Sequence, residues 1–151
     1  MRIYFDVSCL NRPFDDQAQP RIRLEAQAVS LIFTRIQTSE WAQIASEVSI
    51  MEIEAIPDQT RRTRVSRLLP SEAHITPLSA TIIDRAGELA ELGFSIADAA
   101  HLASAEAAEA AIFLTCDDRL LRRAARFADR ISVVVANPLT WLEQHNASDT
   151  Q

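Results

Sequence analysis

The sequence predicts an α/β fold, a three-layer sandwich in which a mostly parallel sheet of four to five strands is flanked by helices. Two observations carry this expectation. Short apolar runs, among them Ile3–Phe5, Ala111–Thr115 and Ile131–Ala136, alternate with segments of helical period. That alternation is the signature of βαβ units, which place helices on both faces of a parallel sheet. The second observation is size: 151 residues without internal repeat, low-complexity block or linker fit one domain with a sizeable core. We expect residues 1–145 to form that domain and the polar stretch 146–151 to fray.

The elements follow in order. Ile3-Tyr4-Phe5 reads as a buried strand ending at Asp6, and the polar segment from Val7 to Gln19 reads as a loop. From Arg21 to Gln37 the apolar positions Ile22, Ala26, Val29, Phe33 and Ile36 recur three or four apart, so one helix face is buried. Thr38-Ser39-Glu40 ends that helix. Gln43–Ala45 is a short strand, and Ser46 is a good N-cap for a helix that carries Val48, Met51, Glu52 and Ile53 as far as Pro57. Asp58 caps another helix running to Pro70. His74-Ile75-Thr76 is a weakly signalled strand. Ser79 caps a helix through Ile82 and Leu89 that stops at Gly93, where a left-handed residue is wanted. A helix from Ile96, the strand Ala111–Thr115 and a helix from Asp117 to Phe127 come next. Ile131–Ala136 is the clearest β-branched run and reads as a buried strand, and Asn137-Pro138 opens the last helix.

Composition excludes several classes of function. Two glycines leave no glycine-rich phosphate loop, and lysine is absent, which removes every mechanism that needs a catalytic lysine. A net charge of −6 is not the footprint of a chain coated on nucleic acid over its whole surface. Cys9 and Cys116 make neither a disulfide framework nor a zinc signature. The N-terminal apolar run is too short for a signal peptide, and no run approaches membrane-spanning length. A reducing cytoplasm and no membrane partner are the expectations.

Four acids stand where a core has no use for them. Asp6 and Asp117 follow predicted strands, Asp98 lies in the first turn of a helix, and Glu52 is flanked by Met51 and Ile53. In a parallel sheet, strand C-termini and the helix N-termini that follow them share one edge, so all four acids can converge in one cleft. Carboxylates held close together resist ionisation unless a cation neutralises them. Oxygen ligands without a cysteine or imidazole cluster suit Mg²⁺ or Mn²⁺.

The segments YFDVSCLNRPFDD, SEVSIMEIEAIPD, IADAAHLASAE and IFLTCDDRLLRRA, in that order and spacing, resemble the PIN-domain family, in particular VapC-type toxins of bacterial toxin–antitoxin pairs. The resemblance spans Arg2 to about Leu142. It implies a PIN-like fold and a metal-dependent endoribonuclease that hydrolyses RNA phosphodiester bonds. Asp6, Glu52, Asp98 and Asp117 fall on the family's acids, as catalytic residues and as ligands of Mg²⁺, with Mn²⁺ an alternative. Asp6 and Asp98 are the implied core ligands, Asp117 a further one, and Glu52 either completes a second metal position or orients water. Ser8 and Thr115 fall on the family's small polar positions, as outer contacts that hold water or phosphate. Family members often carry asparagine where Ser8 stands. The implied partners are an RNA substrate, a cognate antitoxin and a second copy of the chain as a homodimer. The alternative is a non-catalytic PIN-like module that binds RNA or protein.

Around these acids the residues suggest lesser roles. His101, one turn after Asp98, reads as a structural hydrogen bond or an outer contact, and Asp118 as a solvated neighbour of the cluster. Arg61, Arg64 and Arg67 form one arginine stripe, read as a solvated face. Arg119, Arg122, Arg123 and Arg126 form another, in which Arg119 is the candidate for binding substrate phosphate. Trp41 and Trp141 read as packing residues, and Cys9 and Cys116 as buried neighbours. Response-regulator receivers also end a first strand in an acid, but need a lysine. Haloacid-dehalogenase phosphatases need an aspartate where Ser8 stands.

Overall fold

The computed structural model describes residues 1–38 and 40–149, with side chains to Asn146. Five strands form one all-parallel sheet: β1 (Arg2–Phe5), β2 (Ala42–Ser46), β3 (Ile75–Thr76), β4 (Ile112–Leu114) and β5 (Val134–Ala136). Their order across the sheet is β3-β2-β1-β4-β5. The strand order reverses at β1, which pairs Ile3 with Gln43 on one side and with Ile112 on the other. The predicted sandwich is the observed one.

Eight α-helices are described: α1 (Val7–Asn11), α2 (Pro20–Gln37), α3 (Glu47–Glu54), α4 (Gln59–Ser66), α5 (Ala80–Glu91), α6 (Ile96–Ala107), α7 (Asp118–Arg126) and α8 (Pro138–Asp149). They cover both faces because β1 and β4 alternate buried side chains to either side. Ile3, Phe5, Ile112 and Leu114 pack with Val29 and Ile32 of α2 and Leu142 of α8. Tyr4 and Phe113 turn the other way, onto Leu89 of α5, Leu102 of α6 and Leu120 of α7. With both faces covered, the strands read as continuous apolar runs.

Most helix starts follow the expected caps. Asp58, Ser79 and Asp117 accept backbone N–H groups of the first turns of α4, α5 and α7. Ser95 does the same for α6, taking the N–H of Asp98 at 3.1 Å. Gly93 follows α5 with φ 100°, and a Cβ there would run into Nη1 of Arg123.

Three local readings need correction. The segment after Asp6 is not a loop throughout: Val7–Asn11 is helical and Arg12–Phe14 is a 3₁₀ turn, with Val7, Cys9 and Leu10 buried. Five residues are too few to show a helical period. The run Ile131–Ala136 is not one buried strand. Only Val134–Ala136 pairs, at the sheet edge, with Val134 exposed, while Ile131 and Val133 insert into the core before pairing begins. α8 continues to Asp149, beyond Asn146, where fraying was expected, and 150–151 lie outside the described residues. α2 stops at Gln37 with Thr38 behind it; the Ser39 of its expected terminator also lies outside them.

Candidate metal centre

Parallel pairing sends β1 and β4 out of the sheet side by side, and the site is built on that edge. The N–H of Asp6 still bonds the Leu114 carbonyl at 2.8 Å, so Asp6 emerges beside the Thr115–Asp117 turn. Asp6 is buried, and its Oδ2 accepts two hydroxyls, Thr115 Oγ1 at 2.7 Å and Ser8 Oγ at 2.8 Å. Each hydroxyl in turn accepts a backbone N–H, Ser8 from Cys116 at 3.0 Å and Thr115 from Asp117 at 3.1 Å. Those N–H groups fix which way the hydroxyl protons point. The result is a carboxylate with Oδ2 tied down and no hydrogen bond to Oδ1 among the described residues.

Glu52 reaches the same place from α3. Its Oε2 lies 2.5 Å from Nε2 of His101, a fully buried residue of α6. The opposite ring nitrogen, Nδ1, contacts the Tyr4 hydroxyl at 2.7 Å, and that hydroxyl also meets Ser46 Oγ at 2.7 Å. A buried chain from β1 through His101 thus holds Glu52 at the cleft. Ligand atoms of Asp6, Glu52 and His101 all lie within 4.8 Å of one another.

Asp98 and Asp117 border this group. The half-buried carboxyl of Asp98 is pushed up from its ordinary value by burial and then by the negative charge of Asp6, with Asp117 adding to it. Asp117 caps α7 through Oδ1, which accepts the N–H groups of Arg119 and Leu120. Burial also pushes Asp6 up, against the opposing pull of His101, Thr115 and Ser8. For His101, burial opposes the charge, but the bond to Glu52 and the charge of Asp6 outweigh it, so the imidazole titrates above its ordinary range.

No arginine pairs with any of the four acids among the described residues. Elsewhere the chain pairs its acids readily: Glu25 with Arg12 and Arg21, Asp15 with Arg61, Glu106 with Arg85. Asp118 belongs to that second set, because Arg21 grips both its oxygens, at 2.7 and 2.5 Å. Among the described residues the one cation paired with this group is an imidazole, and the four acids offer oxygen donors. The residues therefore fit a hard divalent ion.

Sequence reasoning missed Tyr4 as part of the site and gave His101 a looser place than its burial now does. A tyrosine inside an otherwise apolar strand was the available signal, since a buried hydroxyl needs a partner. It also missed Glu25, buried beneath Arg12 and Arg21 with Asn137 Nδ2 at 2.5 Å. Cys9 and Cys116 are free thiols with their sulfurs 3.7 Å apart. Trp41 and Trp141 pack together, as expected, with ring centroids 5.2 Å apart.

The model of the PIN domain family matches residues 3–127. The chain belongs to the PIN domain family. No curated protein sequence matches it. Among solved structures it resembles a chain of VapBC2 from Rickettsia felis, bound to a DNA fragment from their promoter. That similarity has a TM-score of 0.53 at 16% identity and covers 91% of this chain and 98% of the other. No helix among the described residues is long and apolar enough to cross a membrane.

Proposed function

We propose that this chain is an endoribonuclease dependent on Mg²⁺ or Mn²⁺, and the toxin of a toxin–antitoxin pair working in the cytoplasm. The observation that carries the reading is the convergence of Asp6 and Glu52 at one sheet edge, bordered by Asp98 and Asp117, with no arginine paired to them among the described residues. Asp6, Asp98, Asp117 and Glu52 would hold the ion. When bound, such an ion supplies Lewis-acid chemistry, making water more acidic and neutralising charge on a phosphodiester.

The chain's own groups do the rest. Ser8 and Thr115 fix the rotamer of Asp6 and leave its second oxygen toward the substrate. His101 positions Glu52, whose carboxylate orients the attacking water. Arg119, two residues past Asp117 and exposed, binds the phosphate beside the scissile bond. The VapBC2 complex supports a cognate antitoxin as partner. A homodimer is part of the proposal. The face it has to bury is the groove of about 700 Å³ lined by Met51, Ile83 and Ile96, all exposed.

The decisive variant is Asp98→Asn. We expect wild type to cleave RNA only with Mg²⁺ or Mn²⁺, and the variant to lose at least 100-fold in rate with unchanged circular dichroism. Metal-independent cleavage, or full activity in the variant, refutes the nuclease. The alternative, a binding module without turnover, draws on the His101 contact that already occupies Glu52; tight RNA binding without any cleavage would select it. For the dimer, Ile83→Glu with Ile96→Glu should turn a dimeric sedimentation profile monomeric. A wild-type monomer would remove that part.

A further inference from the structure

α7 carries more charge than one phosphate contact needs. It is strongly two-sided: Leu120 and Ala124 enter the core, while Arg119, Arg122, Arg123 and Arg126 surround a surface depression of about 210 Å³. The four are not equivalent. Arg123 donates from Nη1 to the Leu92 carbonyl at 3.1 Å and packs over Gly93, so it braces the turn between α5 and α6. Arg126 lies over the Phe127 ring, 5.2 Å from its centroid. The guanidinium groups of Arg119, Arg122 and Arg126 have no hydrogen bond or ion pair to a carboxylate among the described residues. The one acid of the helix, Asp118, is taken by Arg21.

The chain has 21 acids for 15 arginines, and Arg12, Arg21, Arg61 and Arg85 pair with acids elsewhere. A cluster of uncompensated arginines on an acidic protein leaves a locally positive surface where the average is negative. Its place matters as well. The helix opens at Asp117, so the cluster leads away from an acidic centre that by itself repels a polyanion. Arg119, Arg122 and Arg126 succeed one another once per turn, about 5 Å apart along the axis. A row of forked, permanently charged donors at that spacing matches consecutive phosphates of a flexible strand better than a single anion.

We propose that Arg119, Arg122 and Arg126 form a track for the phosphate backbone of single-stranded RNA leaving the acidic centre. The track rests on the nuclease reading, since it gives the substrate of that same centre its path. Arg122 and Arg126 act on phosphates beyond the scissile one, so they set affinity and salt dependence.

The test uses a fluorescein-labelled 12-nucleotide RNA and anisotropy titrations from 50 to 200 mM salt, in the Asp98→Asn chain so that the strand stays intact. We expect Arg122→Gln with Arg126→Gln to weaken binding at least 10-fold at the lowest salt. The slope of log K against log salt should become shallower by about 1.4, from about 0.7 per lost phosphate contact on a single strand. Lysine at both positions should restore most of the slope. Arg64→Gln with Arg67→Gln removes the same charge from α4 and should change affinity less than twofold. Thermal melts confirm that each variant is folded. An unchanged slope in the α7 variant, or an equal loss in the α4 variant, overturns the track. So does tighter binding of single-stranded DNA, of duplex DNA or of poly-glutamate, the last marking a partner-protein surface instead. Cleavage of the same RNA by wild type with Mg²⁺ is read in parallel. Its absence with the binding pattern intact removes the nuclease reading and leaves the track; cleavage with no α7 effect removes the track alone.

Discussion

At the residue scale, Asp6 shows what burying an acid at the sheet edge costs in stability. Its carboxyl is buried and pushed up by that burial, because desolvation penalises the charged form more than two hydroxyls relieve it. Asparagine has the same shape, and its amide oxygen can accept the same hydroxyls. Asp6→Asn should therefore stabilise the metal-free protein by about 0.5–2 kcal/mol, and should lack the rise in melting temperature that the proposed function expects Mg²⁺ or Mn²⁺ to give wild type. Calorimetric melts with and without the ion check both halves, and a less stable variant contradicts the account. The acids themselves were legible in the sequence, since each interrupts or ends an apolar run. Their support was not. Tyr4 and His101 stand 97 residues apart and meet only because α6 crosses the face of the sheet to which Tyr4 turns.

At the scale of elements, Glu106 near the end of α6 ties three segments together. Arg85 of α5 donates to it at 2.9 Å, and the N–H and hydroxyl of Ser132, just before β5, donate at 2.8 and 2.6 Å. Burial alone would raise this carboxyl, but Arg85 and Ser132 overcome it and hold it below its ordinary value of 4.5. A depressed folded value means stability that is present above the unfolded value and lost as pH falls through the folded one. Glu106→Gln should therefore cost about 1–3 kcal/mol near neutrality, and the difference should close as pH falls below the carboxyl's ordinary value of 4.5. Urea melts across that range measure it; a gap that does not close at low pH contradicts the assignment. Element legibility followed length. The 18 residues of α2 announce themselves by period. α1, with Asn11 at its end and Pro13 just beyond, gives too short a pattern. β5 was overread because β-branching marks a core as readily as a paired strand, and Ile131 and Val133 serve the first purpose.

At the scale of the molecule, alternation of strand and helix made the three layers legible, and right-handed crossovers leave few ways to order them. The order β3-β2-β1-β4-β5 could not be read, because no local pattern tells which neighbour a strand takes. It explains why acids from positions 6 and 117 share one cleft: both follow strands that leave the sheet together at the place where the order reverses.

The central place of β1 also sets a timetable. The first strand to be made has one edge free until β4, whose residues lie 109 positions beyond their partners, arrives to pair Phe5 with Leu114. Contacts this distant in sequence form late and slow folding. A chain ending at residue 110 should remain largely unfolded by circular dichroism, and a cooperative melt from it would contradict this timetable. During synthesis, Asp6 therefore waits for Asp117, and the acidic centre closes only after about three quarters of the chain has emerged. A ribosome carrying this chain would thus hold an incomplete acidic centre for most of the time it takes to make one.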